Sequence, residues 1–353
     1  MEFDVIHFEA LGAEAEHLEH ETVRCIESGL LPPDHKYLIT PETLNSYIES
    51  SPDISLPRII TIKTHSRIPD GYLQGTRKSI ITRSAGYDHV EHLAQCANIA
   101  SLREYCVNAV AQTAMKFIYA TSGLMNHYAE HTTVFDRKSC KAFKELGSHL
   151  VATVFGVGKI GRRIYDLAHA NGLTVQGVDV RAAELNSQYG GNVNFISKSE
   201  ASASSHIIIN AMNLTRDRNS PYYNVGYFSR EFFESTRHPV IFINVTRGEI
   251  ASEEVLLEMY AKGRLYGVGL DVFSSESEFA TLLATGEYQG TRYAAAAELV
   301  HLSMTRSGNV YVQPHQGFNS DIAAESKAVE ALRHLTGWYR KGGSGFDEQL
   351  PYY

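Results

Sequence analysis

Short apolar runs recur along the chain, each bounded by polar or turn-forming residues. DVIHF, RIITIKT, SIITRS, LVATVFGVG, LTVQGVDV, HIIINAM, PVIFINV, YGVGLDV and VYVQP read as short strands buried on both faces. Between many of them lie stretches with a helical apolar period, such as KIGRRIYDLAHANG and EEVLLEMYAKGR. This alternation predicts parallel sheets, because parallel neighbours need a crossover between them. One longer helical pattern, NAVAQTAMKFIYATSGLMNHYAEH, precedes LVATVFGVG and reads as a single helix joining one α/β unit to the next. The predicted organisation is a doubly wound nucleotide-binding domain over residues 108–315 and a discontinuous domain from residues 1–107 and 316–353. The last helical pattern, SDIAAESKAVEALRHLTGWYRKG, is expected to pack back on the first segment, and the tail KGGSGFDEQLPYY to be loosely ordered.

Composition narrows the class. A chain of 353 residues has room for two domains, and 43% hydrophobic with 20% charged residues is ordinary for a globular protein. The formal charge is −8 and no basic block is present, so no nucleic-acid or anionic-membrane surface is expected. The longest apolar runs are too short to span a bilayer. The acidic start, MEFDVIHFEA, argues against a targeting peptide. Cys25, Cys96, Cys106 and Cys140 are scattered, which fits thiols in a reducing cytoplasm better than a disulfide framework. The expected setting is therefore cytoplasmic.

The first chemical motif is the loop from Gly156 through Val157, Gly158, Lys159 and Ile160 to Gly161. It is a G-x-G-x-x-G pattern directly after a strand and opening a helix, the context that gives this pattern meaning. Gly156 allows a tight turn, Gly158 leaves room for a pyrophosphate, and Gly161 lets helix and strand pack closely. The next strand ends at Asp179, about twenty residues on, where a carboxylate accepts hydrogen bonds from ribose hydroxyls and disfavours a 2′-phosphate. NAD is the predicted cofactor.

Three further strand ends carry ionisable residues. VIFIN is followed by Arg247, GVGLDVF by Asp271 and then Glu276, and VYVQP by His315. In an open parallel sheet all of these fall on the edge that binds ligands, beside the glycine loop. Singly, each has a bland reading as a surface charge or turn residue. Jointly they suit a 2-oxo acid, which needs a cation for its carboxylate and a proton donor for its carbonyl oxygen as hydride arrives. A neighbouring carboxylate would stabilise the imidazolium.

These blocks, in this order, resemble the NAD-dependent D-isomer-specific 2-hydroxyacid dehydrogenases. The resemblance rests on GVGKIG with Asp179, INVTRGEIASEEVLLEMYAKGRLYGVGLDVF, Glu276 and QPHQGF, and runs from about Ile80 to Ala323. It implies two Rossmann-like domains, the substrate domain flavodoxin-like. It also implies that Arg247 binds the substrate carboxylate and carbonyl, Glu276 partners the histidine, and His315 is the acid/base. Asp271, Val245 and Thr246 would line the cofactor. TRSAGYDHVEH resembles the family's glycine turn, which implicates Ala85 and Gly86 in carboxylate binding. EYCVNAVAQ is similar to the D-lactate dehydrogenase branch, with Tyr105 facing substrate and Gln112 departing from that branch's glutamate. The expected activity is hydride transfer between NAD(H) and C2 of a small D-2-hydroxy acid or 2-oxo acid, D-lactate and pyruvate in type, by a homodimer. Alternatives on this scaffold are hydroxypyruvate or glyoxylate reduction, phosphoglycerate or phosphite oxidation, and NAD sensing by a corepressor-like binding protein. A phosphorylated substrate would need extra cations in the first domain, for which Lys63, Arg67 and Arg83 are candidates.

One competing motif remains. HYAEH, residues 127–131, matches H-x-x-E-H and places His127 and His131 on one helical face. The flanking sequence offers no third ligand, so no metal is expected and a solvated helix end is the preferred reading. The HLEHE cluster at residues 17–21 is read the same way.

Overall fold

The computed structural model describes residues 2–51 and 54–352. The chain divides into two compact units, Met1–Cys106 with Asn319–Tyr353, and Val107–Phe318. The first unit carries strands β1 (Val5–His7), β2 (Tyr37–Ile39), β3 (Ile59–Ile62), β4 (Ser79–Thr82) and β5 (Asn98–Ser101). They form one parallel sheet in the order β2-β1-β3-β4-β5, the flavodoxin-like winding. IITI and SIIT are buried at every position, as strands covered by helices on both faces must be. Leu18 and Cys25 of helix Ala13–Glu27 share a core cluster with Ala328, Leu332 and Leu335 of helix Ala323–Arg340.

The second unit carries β6 (Val151–Phe155), β7 (Thr174–Val178), β8 (Ile207–Asn210), β9 (Val240–Asn244), β10 (Leu265–Leu270) and β11 (Val310–Val312). All pair in parallel, in the order β11-β10-β9-β8-β6-β7. An isolated parallel bridge from Gly177 to Phe195 extends the sheet one position beyond β7. The winding reverses between β6 and β8, which opens a crevice at the carboxyl ends of those strands. Beneath it Phe155, Phe228, Phe232, Phe233 and Phe242 stack edge-to-face in the core.

The doubly wound class read from the sequence holds, with four differences in detail. The joining helix is two helices, Val107–Ser122 and Met125–Thr132. They are separated by Gly123 and by Leu124, whose φ of 51° is left-handed and ends the first helix. β2 and β5 carry no long β-branched run and do not stand out in the pattern. The tail is anchored: Phe346 and Leu350 are buried, Leu350 N–H donates to Ile99, and the Tyr352 hydroxyl bonds Ser101. Its spaced aromatic and aliphatic side chains cover β5, which the glycines around them obscure in the sequence. The segment between Glu276 and His315 holds two helices, Glu276–Thr285 and Ala294–Met304, whose Phe279, Ala296 and Leu299 enter the core. No helix among the described residues is long and apolar enough to cross a membrane.

Candidate active site

The glycine loop leaves β6 at the point where the winding reverses. Gly156 has φ of 83°, and a Cβ there would sit 2.7 Å from the backbone of Met212. A Cβ at Gly161 would overlap the carbonyl oxygen of Gly156, so helix and turn close only around glycine. Gly158 differs: a Cβ there would meet nothing within 4 Å, so its face of the loop is open. Helix Lys159–Ala170 starts at this point, which sets the positive end of its dipole beside the loop. Open space beside a helix N-terminus and its positive dipole end is the arrangement that receives a pyrophosphate. Asp179 stands just past β7 and accepts from Val157 N–H at 2.8 Å and from Arg181 N–H at 2.9 Å. The carboxylate thereby fixes the loop. These residues fit a dinucleotide.

The next strand ends are closed by asparagines. Asn210, last in β8, donates to the side chains of Asn244 and Thr246, each at 2.9 Å. Asn244, last in β9, donates to the carbonyl of Arg247 at 2.9 Å. This ladder shapes the turn of Val245, Thr246 and Arg247. Arg247 is half-buried, with Nη1 donating to the Thr246 carbonyl at 2.8 Å. Gly248 follows because a Cβ would overlap the backbone of Phe273 and Ser274. The Arg247 turn is thus in backbone contact with the segment that leads into Glu276.

Glu276 opens its helix after Ser275, which has φ of 49°. One carboxylate oxygen accepts from Phe273 N–H at 3.1 Å. The other lies 2.7 Å from Nδ1 of His315, 39 residues away in sequence. A carboxylate only accepts, so Nδ1 carries the proton and Nε2 is the nitrogen left to exchange one. His315 itself has φ of 50°, a region that histidine tolerates better than most side chains. Its N–H donates to the Asp271 carbonyl at 2.7 Å, which ties the turn after β11 to the end of β10.

Asp271 is 2% exposed. Its carboxylate accepts from the Gln313 side chain at 2.6 Å, Gln316 N–H at 2.8 Å and Gly317 N–H at 3.0 Å. Burial pushes this carboxyl above its ordinary value, against the opposing pull of those donors and of the His315 charge. Lys116 donates to Gln313 from the other side at 2.5 Å. Asp271 therefore holds the PHQG turn from below. Gln313, Gln316 and Asn210 were not singled out by the sequence reading. The available signal was a polar residue closing a buried strand, as in IIIN and VIFIN.

In the first unit Ala85 and Gly86 follow β4 in a half-buried turn, where Ser84 Oγ donates to the Gly86 carbonyl at 2.7 Å. Tyr105 packs against that unit's core, with the Lys327 ammonium 5.1 Å from its ring centre. Two of the three cations suggested for a phosphate are committed to an internal carboxylate. Arg83 is fully buried and donates to Glu14 at 2.9 Å, with Thr61 and the Phe8 carbonyl as further partners. Lys63 pairs with the same carboxylate at 2.5 Å, and Arg67 is exposed.

The profile of the D-isomer specific 2-hydroxyacid dehydrogenase NAD-binding domain matches residues 118–317. The chain belongs to this family. As a D-isomer specific 2-hydroxyacid dehydrogenase it is an NAD-dependent oxidoreductase acting on CH–OH groups. It is 25% identical over 261 residues to the D-lactate dehydrogenase of Lactiplantibacillus plantarum, covering 70% of this chain and 71% of that one. It is also 25% identical over 211 residues to the human glyoxylate reductase/hydroxypyruvate reductase, 56% of this chain and 61% of the relative. Among solved structures, D-2-hydroxyisocaproate dehydrogenase superposes with a TM-score of 0.76 at 19% identity, over 97% of this chain and 98% of that one. The D-lactate dehydrogenase of Aquifex aeolicus, complexed with NAD and lactic acid, gives 0.73 at 20% identity over 96% of each chain. These likenesses extend the fold to both units of this dehydrogenase.

Proposed function

We propose that this dehydrogenase interconverts a small, unphosphorylated 2-oxo acid of the pyruvate type and its D-2-hydroxy acid. The observation that carries the reading is the 2.7 Å pair of His315 and Glu276, set against the Arg247 turn at one sheet edge. His315 gives its Nε2 proton to the carbonyl oxygen during reduction and takes it back during oxidation. Glu276 accepts from Nδ1, which orients the ring and stabilises the imidazolium. Arg247 binds the substrate carboxylate with its guanidinium fork and polarises the carbonyl. Ala85, Gly86 and Tyr105 are the substrate residues this reading assigns within the first unit. The loop of Gly156 to Gly161, with Asp179, Val245 and Thr246, holds NAD, which supplies or accepts the hydride when bound. We assign Asp271 to the same cofactor wall, where its buried carboxyl also sets the His315 turn.

Two observations support a small unphosphorylated acid. Arg83 and Lys63 are both engaged by Glu14 inside the first unit, and the D-lactate dehydrogenase relative matches across most of its length. A homodimer belongs to the same reading, and sedimentation velocity measures it directly. The deciding assay is steady-state reduction of a panel of 2-oxo acids with NADH. Pyruvate-sized acids should give the highest kcat/KM, and His315→Ala should lower kcat by about 10²–10⁴. Near-normal turnover in that variant, or preference for a phosphorylated acid, would overturn the assignment.

A further inference from the structure

The sequence around HYAEH offers no third metal ligand, but the fold supplies one. Helix Met125–Thr132 carries His127 and His131 one turn apart, with ring centres 4.1 Å apart. The loop that follows turns back over this helix and brings in Cys140. One potential ligand atom from each of His127, His131 and Cys140 lies within 4.8 Å of the others, and all three residues are half-buried. We propose that these three residues form a binding site for a zinc-class transition metal ion, separate from the dehydrogenase site.

The donor set selects that class. Two imidazoles and a thiolate suit zinc, whereas calcium and magnesium demand oxygen. One imidazole is prepared for it and the other is held close. His131 Nδ1 lies 2.9 Å from the His127 carbonyl and donates to it, leaving the Nε2 lone pair available. Metal-bound histidines commonly make such a backbone bond with their other nitrogen. His127 Nε2 accepts from Lys141 N–H at 2.9 Å, so its lone pair already faces the residue next to Cys140. Metal exchanges that N–H for a stronger partner.

The loop is pinned on both sides of Cys140. Asp136 N–H donates to the His131 carbonyl at 3.1 Å, and the Asp136 carboxylate takes Lys138 N–H at 2.9 Å. Beyond the cysteine, the Tyr128 hydroxyl donates to the Lys141 carbonyl at 2.7 Å, and Lys144 N–H reaches the Ser122 carbonyl at 2.9 Å. The Cys140 thiol contacts the Asp136 carbonyl at 3.2 Å. Ligands of a tetrahedral zinc stand roughly 3.5 Å apart, so the side chains need to draw in by about 1 Å, within the reach of rotamer adjustment. Binding releases the thiol proton to solvent and leaves a fourth position facing water.

Cobalt(II) tests the site on the full chain, stripped with chelator and kept reduced. We expect one equivalent to bind with tetrahedral d–d bands and a thiolate-to-cobalt charge-transfer band. Cys140→Ala should abolish that band and His131→Asn should weaken binding at least tenfold. Cys96→Ser, at an exposed cysteine elsewhere, should leave it unchanged. Absence of a thiolate band in the unmodified protein, or a band that survives Cys140→Ala, overturns the site. If a variant fails to fold, alkylation of the unmodified protein decides. Zinc should slow labelling of Cys140 at least tenfold, and equal labelling with and without zinc overturns the proposal.

Discussion

In the first unit the buried carboxylate of Glu14 faces three cations: Lys63, Arg83 and Lys327. In the second unit the buried carboxylate of Asp271 is held by an amide side chain and two backbone N–H groups. Burial raises both carboxyls. At Glu14 the cations together outweigh it and hold the group below its ordinary value, whereas at Asp271 burial wins. The direction of the shift, though not its cause, repeats in a second pair. Glu330 in the first unit is held down by His334 and the N–H groups of Tyr105 and Glu104 against its burial, while Glu253 in the second is pushed up by burial despite Ser274. Cations fix charge as architecture. At Asp271 the neutral donors aim the carboxyl without overcoming its burial, which suits a turn that carries an acid/base residue.

The largest test of this contrast is Glu14→Gln. It strands a fully buried Arg83 without its counter-charge and should destabilise the fold by about 3–5 kcal/mol. Denaturant unfolding followed by the single tryptophan, Trp338, reads the first unit directly. A loss under about 1 kcal/mol would mean that the cluster is not acting as a unit. Gly248→Ala attacks the second unit, where a Cβ overlaps the Phe273–Ser274 backbone. It should cost roughly 1–3 kcal/mol and lower kcat, because the Arg247 turn and the Glu276 segment must separate. An unchanged melting temperature would show that this contact relaxes freely.

Acid should separate the units further. Glu14 and Glu330 have folded values below the ordinary 4.5, so their contribution is present above that pH and fades as pH falls through the folded values. Asp271 and Glu253 have raised values, so theirs is present at low pH and is lost as pH rises through the folded values. Trp338 fluorescence should therefore change as pH drops below about 4.5, ahead of the loss of protection of β9 amides in hydrogen exchange. The reverse order would contradict the assignment. The smallest structural effect is expected at Gly158→Ala, where nothing lies within 4 Å. Stability should move by no more than about 0.5 kcal/mol, while NADH affinity, read by fluorescence titration, should fall.

Much of this was legible in the sequence because the relevant signals are local. A strand that stops just before Pro314 or at Asn244 announces its carboxyl end, and a parallel sheet gathers those ends on one edge. What stayed hidden depends on distance. Nothing near residue 83 indicates that its guanidinium is spent on Glu14, 69 positions away. Nothing beside HYAEH indicates that a loop returns Cys140 to it. Leu124 breaks a helix that its apolar period would continue, since one left-handed residue leaves no mark on periodicity. The tail was misread because glycine spacing outweighed a few anchoring side chains.

The division of the first unit around the second has a consequence for synthesis. Helix Ala323–Arg340 supplies Lys327 to the Glu14 cluster and Glu330 to the N–H groups before helix Val107–Ser122, and it emerges from the ribosome after the whole of the second unit. The second unit can fold during translation, as domains do. The first must wait, with β1 to β5 made early and one face uncovered until residues beyond 319 arrive. Nascent chains arrested before and after that helix should differ sharply in the protease resistance of their first hundred or so residues. Vectorial synthesis thus delivers the nucleotide-binding module ready-made and leaves the first unit dependent on a helix made after it.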